Sequence, residues 1–137
     1  MDDDVVLVQV EAAPRTSTGS VRVCVRSDVG TAVVLWAGAS EEAGGEHHVE
    51  WSIDEDVSWG SSMWPAAVPS FGLWEDGGRL VFRGRLSFTD DGGARLEFAG
   101  ALILLSLATP GPPEVVSGIW VEVQVLRSSV SLYPYLL

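Results

Sequence analysis

Residues 79–107 read R-L-V-F-R-G-R-L-S-F-T-D-D-G-G-A-R-L-E-F-A-G-A-L-I-L-L-S-L, and this stretch decides the fold class. Leu80, Phe82, Gly84, Leu86 and Phe88 recur at every second position, and so do Ala94, Leu96, Phe98, Gly100, Leu102 and Leu104. A period of two belongs to a β-strand that buries one face. Between the runs, Asp90-Asp91-Gly92-Gly93 is a strong turn signal, so the stretch predicts a long hairpin. One register sets Arg85 opposite Glu97, Gly84 opposite Phe98 and Phe82 opposite Gly100. Rings would then cover glycine gaps and charges would pair across the strands. A register shifted by two fits the pattern as well. The predicted buried face is Leu80, Phe82, Leu86, Phe88, Leu96, Phe98, Leu102 and Leu104. The other face of the run, Ala101, Ile103, Leu105 and Leu107, is also apolar and needs a cover of its own. Self-association through the 101–107 strand or a partner contact is one source of that cover, and another part of this chain is the other.

The same alternation runs through the rest of the chain. Val6, Val8 and Val10 alternate with Val5, Leu7 and Gln9. Val21, Val23 and Val25 alternate with Arg22, Cys24 and Arg26. Ser27-Asp28-Val29-Gly30 is a turn signal, and Thr31 to Ala37 returns as a strand. His47, Val49, Trp51 and Ile53 mark one face of a fourth strand, which leaves Trp51 in the core. Val121, Val123 and Val125 mark a strand over 119–127, and 130–136 adds an edge strand interrupted by Pro134. The 20 Val outnumber the 14 Leu, as β-branched residues do in sheets. The stretch near 55–78, with Pro65, Pro69 and several Gly, reads as a long loop. Ser40 to Gly44 is the one candidate helical turn. The expected fold is therefore all-β: one antiparallel sandwich or barrel of about seven or eight strands spanning 1–137.

Composition sets further bounds. The 137 residues carry a formal charge of −11, and all eight basic residues are Arg, with no Lys and no Asn. That excludes a P-loop or Schiff-base lysine. It also argues against nucleic acid as a partner, since phosphates would be repelled. The apolar run 99–108 falls short of the about 20 residues that span a bilayer, so no membrane partner is expected. The acidic start, Met1-Asp2-Asp3-Asp4, is the reverse of a secretory n-region, and a lone Cys fits a reducing compartment; the expectation is cytoplasmic. Lys and Asn have AT-rich codons, and their absence points to a GC-rich bacterial genome.

The charge is concentrated. Between Asp28 and Gly78 there are ten acids (Asp28, Glu41, Glu42, Glu46, Glu50, Asp54, Glu55, Asp56, Glu75 and Asp76) and no base, which gives −10. The remainder has nine acids and eight Arg, which gives −1. Like charges so close repel one another, so such clustering is either a solvated, solubilising face or a surface for a basic partner. Trp51, Trp59, Trp64 and Trp74 fall in the same stretch, and tryptophan supplies large contact area at interfaces. The predicted docking set is Glu41, Glu42, Glu46, Glu50, Asp54, Glu55 and Asp56, with Trp59 as an anchor.

Chemistry finds less support. His47 and His48 are adjacent, so they point to opposite strand faces and share a metal poorly. Glu46, His48 and Glu50 share a face but lack a further His or Cys ligand. Cys24 lies between Arg22 and Arg26 without a base beside it. Asp54, Glu55 and Asp56 offer a carboxylate pair of the kind any acidic loop offers. Arg79, Arg83 and Arg85, with Arg95 across the hairpin, form the one basic ridge. No nucleophile elbow occurs. No enzyme, metal or cofactor is therefore expected. The leading expectation is a small acidic interaction protein that neutralises a basic partner, following the charge logic of immunity proteins and antitoxins. The alternative is a ligand- or carbohydrate-binding barrel or sandwich that uses the loop tryptophans.

Overall fold

The structure, a computed structural model, describes residues 6–12, 21–39, 43–113 and 118–134. Among these the chain forms twelve strands: β1 (Val6–Ala12), β2 (Arg22–Ser27), β3 (Gly30–Trp36), β4 (Gly45–Ile53), β5 (Asp56–Val57), β6 (Met63–Pro65), β7 (Gly72–Asp76), β8 (Arg79–Phe88), β9 (Ala94–Phe98), β10 (Ala101–Leu107), β11 (Trp120–Leu126) and β12 (Val130–Pro134). A 3-10 turn at Arg127–Ser129 joins the last two. The all-β architecture expected from the alternation is present. The described residues contain no helix long and apolar enough to cross a membrane.

Hydrogen-bonded neighbours run β12, β4, β1, β2, β3, β7, β8, β9, β10, β5; β11 lies along β8 and carries the short β6. Strand β12 also pairs with β3 at Ser131 and Leu132. Strands β1, β2, β3, β12 and β4 thereby close into a ring. The contacts β3–β12, β3–β7 and β5–β10 are parallel, and the other ladders are antiparallel. The expected edge strand at 130–136 is instead the closing strand of the ring. It pairs with β4 along one edge and with β3 along the other, Val130 and Leu132 point inward and are fully buried, and positions 135–136 of the expected strand lie outside the described residues.

The core fills from alternate positions of every long strand. Val8, Val10, Val23, Val25, Val34, Val49, Val121, Val123 and Val125 are all buried, as their period predicts. At the centre Trp51, Phe82 and Phe98 meet edge to face, with ring centroids 5.2–5.8 Å apart. Such pairs add about 0.5–1.5 kcal/mol beyond area burial.

The hairpin departs from expectation in one place. Strands β8 and β9 pair in the expected register, with Arg85 opposite Glu97. The chain then reverses at Ala99 and Gly100, whose φ angles of 49° and 91° are both positive. Two consecutive positive φ values make the tight turn whose twist suits a hairpin. The single strand expected over 94–104 is therefore two, β9 and β10. Ala101, Ile103 and Leu105 now face Phe98, Leu96 and Ala94 across the ladder and are buried with them. Leu102 and Leu104 are turned outward, and Leu104 is 70% exposed, contrary to the predicted buried face. Phe82 is opposite Leu73 and Val123, not Gly100. Phe88 is half-buried against the core.

The predicted loop near 55–78 is also corrected. It contains β5, β6 and β7, and β7 forms a hairpin with β8 across Gly77 and Gly78, which again both have positive φ. These pieces, with the split of the long strand, raise the strand number from about eight to twelve. The proposed turn at Ser40–Gly44 lies mostly outside the described residues.

Candidate functional site

Strand β4 sets out the acidic residues. Val49, Trp51 and Ile53 point into the core, so Glu46, His48, Glu50 and Ser52 point outward. Glu46 lies opposite Gln9 on β1, and Glu50 lies opposite Tyr133 on β12. Both carboxylates are exposed, and so are Asp54 and Asp56 at the corner where β4 leads into β5. Among the described residues the ion pairs are Arg26–Glu11, Arg83–Glu122 and Arg127–Glu75. None includes Glu46, Glu50, Asp54 or Asp56, so these four meet solvent without a cation beside them in the described structure.

The other predicted docking residues divide. Glu55 is occupied inside the fold: its Oε1 accepts hydrogen bonds from the Leu126 N–H at 2.9 Å and the Ser129 hydroxyl at 2.8 Å. It thereby bridges the residue that precedes the 3-10 turn and the last residue of that turn, while the leading N–H of the turn, that of Arg127, donates to the Gly78 carbonyl at 3.1 Å. Trp59 is half-buried against the core and donates its backbone N–H to the Pro110 carbonyl at 2.8 Å. Glu41 and Glu42 lie outside the described residues. Glu46, His48 and Glu50 do share the outer face, but no group of three metal-ligating side chains forms among the described residues.

Beside the acidic face, at the end of the sheet, an open cleft of about 410 Å³ lies between β1, the β2–β3 turn, the start of β4 and the β9–β10 turn. Asp28 and Glu46 line it, together with Val8, Gln9, Arg26 and Ala99. Gln9 is opposite Arg26 on one side and Glu46 on the other, so the three form a row across β2, β1 and β4. Arg26 is held by Glu11 at 3.2 Å.

A second cluster escaped the sequence reading. On the outer face of β6, β11, β8 and β7, Glu122 accepts from the Trp64 indole N–H at 3.1 Å and from Arg83 at 3.4 Å. The Arg83 guanidinium lies 5.1 Å from the centre of the Trp74 ring and donates to the Ser70 carbonyl at 2.7 Å. Phe71 and Trp120 meet edge to face nearby, with ring centroids 4.9 Å apart. Arg83 is therefore not part of a free basic ridge, and Trp64 and Trp74 sit on strands with their polar and π surfaces engaged. The signal was present in Trp120-x-Glu122, the outward partners of Val121 and Val123, but it carries meaning only once β6 is known to pair there.

Comparison of the chain with known protein families, curated proteins and solved structures finds no match.

Proposed function

We propose that this protein is an acidic interaction domain that binds a basic protein partner through the outer face of β4 and the β4–β5 corner. The supporting observation is the exposure of Glu46, Glu50, Asp54 and Asp56 along one strand and its turn, with no cation beside any of them among the described residues. Carboxylates set out in this way project a negative field that speeds encounter with a basic surface. A role of the immunity or antitoxin kind, in a bacterial cytoplasm, is the specific form of this reading; the −11 charge and the single cysteine, Cys24, support it. The alternative use of the tryptophans has less support, since Trp64 and Trp74 are half-buried and already engaged.

The test begins with capture of the partner from the native cell. Association is then measured across ionic strength for the wild type and for a variant carrying Glu46→Gln, Glu50→Gln, Asp54→Asn and Asp56→Asn. The wild-type association rate should fall steeply with salt, and the variant should lose most of that slope. A carboxylate paired with a partner arginine at the centre of the contact should account for about 2–5 kcal/mol on truncation. Unchanged affinity and unchanged salt dependence would reduce the acidic face to a solubilising surface.

A further inference from the structure

The open cleft beside the acidic face has the makings of a seat for a single side chain. We infer that it receives an arginine side chain of the basic partner. The inference rests on the proposed interaction role and narrows it to one contact.

Size comes first. A volume of about 410 Å³ lies within the range of about 300–1,000 Å³ typical of ligand clefts. It holds a long side chain and is closed on one side by β1 and on the other by the β9–β10 turn.

Charge selects the occupant. Asp28 and Glu46 enter from different elements, the β2–β3 turn and the first residues of β4, and both are exposed. Among the described lining residues the one cation, Arg26, already faces Glu11 at 3.2 Å. Among the described residues Asp28 and Glu46 have no ion pair of their own, and both border the cleft. An anion would be repelled there, whereas a cation is attracted by both carboxylates.

The neutral lining selects among cations. The buried Val8 and the half-buried Ala99, whose methyl is the more accessible, supply the apolar part of the lining. That surface suits the aliphatic stem of a long basic side chain, which packs its methylenes and keeps its head polar. Gln9, midway between Arg26 and Glu46 in the cross-strand row, adds a neutral acceptor. A guanidinium has five donors in a fixed plane and can address acceptors that arrive from several directions, which a compact ammonium does less well.

The seat is also held in place. The Ser27 hydroxyl donates to the Gly30 carbonyl at 3.0 Å and accepts from the Val29 N–H at 3.3 Å, while the Leu73 N–H bonds the Val29 carbonyl at 3.0 Å. The turn that carries Asp28 is therefore fixed to β7 before any partner arrives, which lowers the ordering cost of binding.

The probe is N-acetyl-arginine amide, followed by amide chemical shifts in the whole protein, with N-acetyl-citrulline amide as its neutral isostere. The arginine probe should shift Gln9, Ser27, Asp28 and Glu46 saturably, and the citrulline probe should not. Combining Asp28→Asn with Glu46→Gln should weaken the arginine probe about tenfold, as expected for the loss of two exposed charge contacts. Combining Glu50→Gln, Asp54→Asn and Asp56→Asn should leave the probe's affinity unchanged while weakening an arginine-rich peptide. No saturable shift at the cleft, or equal shifts with citrulline, overturns the inference. If the peptide still binds the β4 face in a salt-dependent way, the broader interaction role survives that failure; if the peptide fails too, both fall.

Discussion

Phe98 is 2% exposed, and its ring stands edge-on to both Trp51 and Phe82. Truncation to Ala would leave a void that the ladder between β8 and β10 cannot close. Phe98→Ala should cost about 3–5 kcal/mol in denaturant melts. A loss below about 1 kcal/mol, the range of surface substitutions, would contradict the burial. Position 98 was legible from alternation alone, because an inward aromatic needs no knowledge of its partners. Asp91 shows what alternation omits. Its carboxylate accepts from the Thr89 hydroxyl, and then from the Gly93 N–H at 3.3 Å, and these bonds hold its pKa below the ordinary 3.8. The sign follows from linkage: the folded pKa is lower than the unfolded one, so the contribution is complete above the unfolded value. It is lost as pH falls through the folded pKa, in the region below about pH 4. Carboxyl NMR titration should place the Asp91 midpoint below that of a model peptide, and Asp91→Asn should remove this part of the acid limb of stability.

At the scale of elements, the long alternating strands were legible and the tight reversals were not. β1, β2, β3, β4, β8 and β11 each run for six residues or more, enough for period two to stand out. β6 has three residues and β5 has two, too few for any period. The turn at Ala99-Gly100 was hidden because alanine seldom adopts positive φ; nothing in Phe-Ala-Gly-Ala marks a reversal as Asn-Gly would. One unseen turn then exchanged the two faces of β10. Two substitutions on that strand check the exchange. Ile103→Ala should cost about 2–5 kcal/mol, because the side chain is fully buried. Leu104→Ser should stay within about 0.5 kcal/mol, because that side chain is mostly in solvent. Equal costs would restore the uninterrupted strand. The exchange also places the face that had suggested self-association, Ile103 and Leu105, inside the protein's own core.

At the scale of the whole molecule, the −10 stretch between Asp28 and Gly78 resolves into two populations. Glu55 and Glu75 are tied into the fold. The first bridges Leu126 and Ser129 at the two ends of the turn before β12, and the second accepts from the Val33 N–H at 3.2 Å and Arg127 at 3.5 Å. Glu46, Glu50, Asp54 and Asp56 have no cation partner among the described residues and repel one another. The sequence could count both populations but could not separate them, since the separation depends on which backbone N–H groups lie within reach. The two should respond oppositely to neutralisation. Glu55→Ala removes the acceptor for Leu126 and Ser129 and should lower stability by about 1–2 kcal/mol, the range for losing hydrogen bonds to a charged acceptor. The four-fold variant Glu46→Gln, Glu50→Gln, Asp54→Asn, Asp56→Asn relieves repulsion, so its melting temperature at low salt should equal or exceed that of the wild type, and the difference should shrink as salt rises. Melting curves across ionic strength measure both. Carboxylates that cost stability where they stand are better explained by what they meet outside the molecule than by what they hold within it. A four-fold variant that melts well below the wild type at every salt concentration would assign these acids to the fold and leave the interaction role without its support.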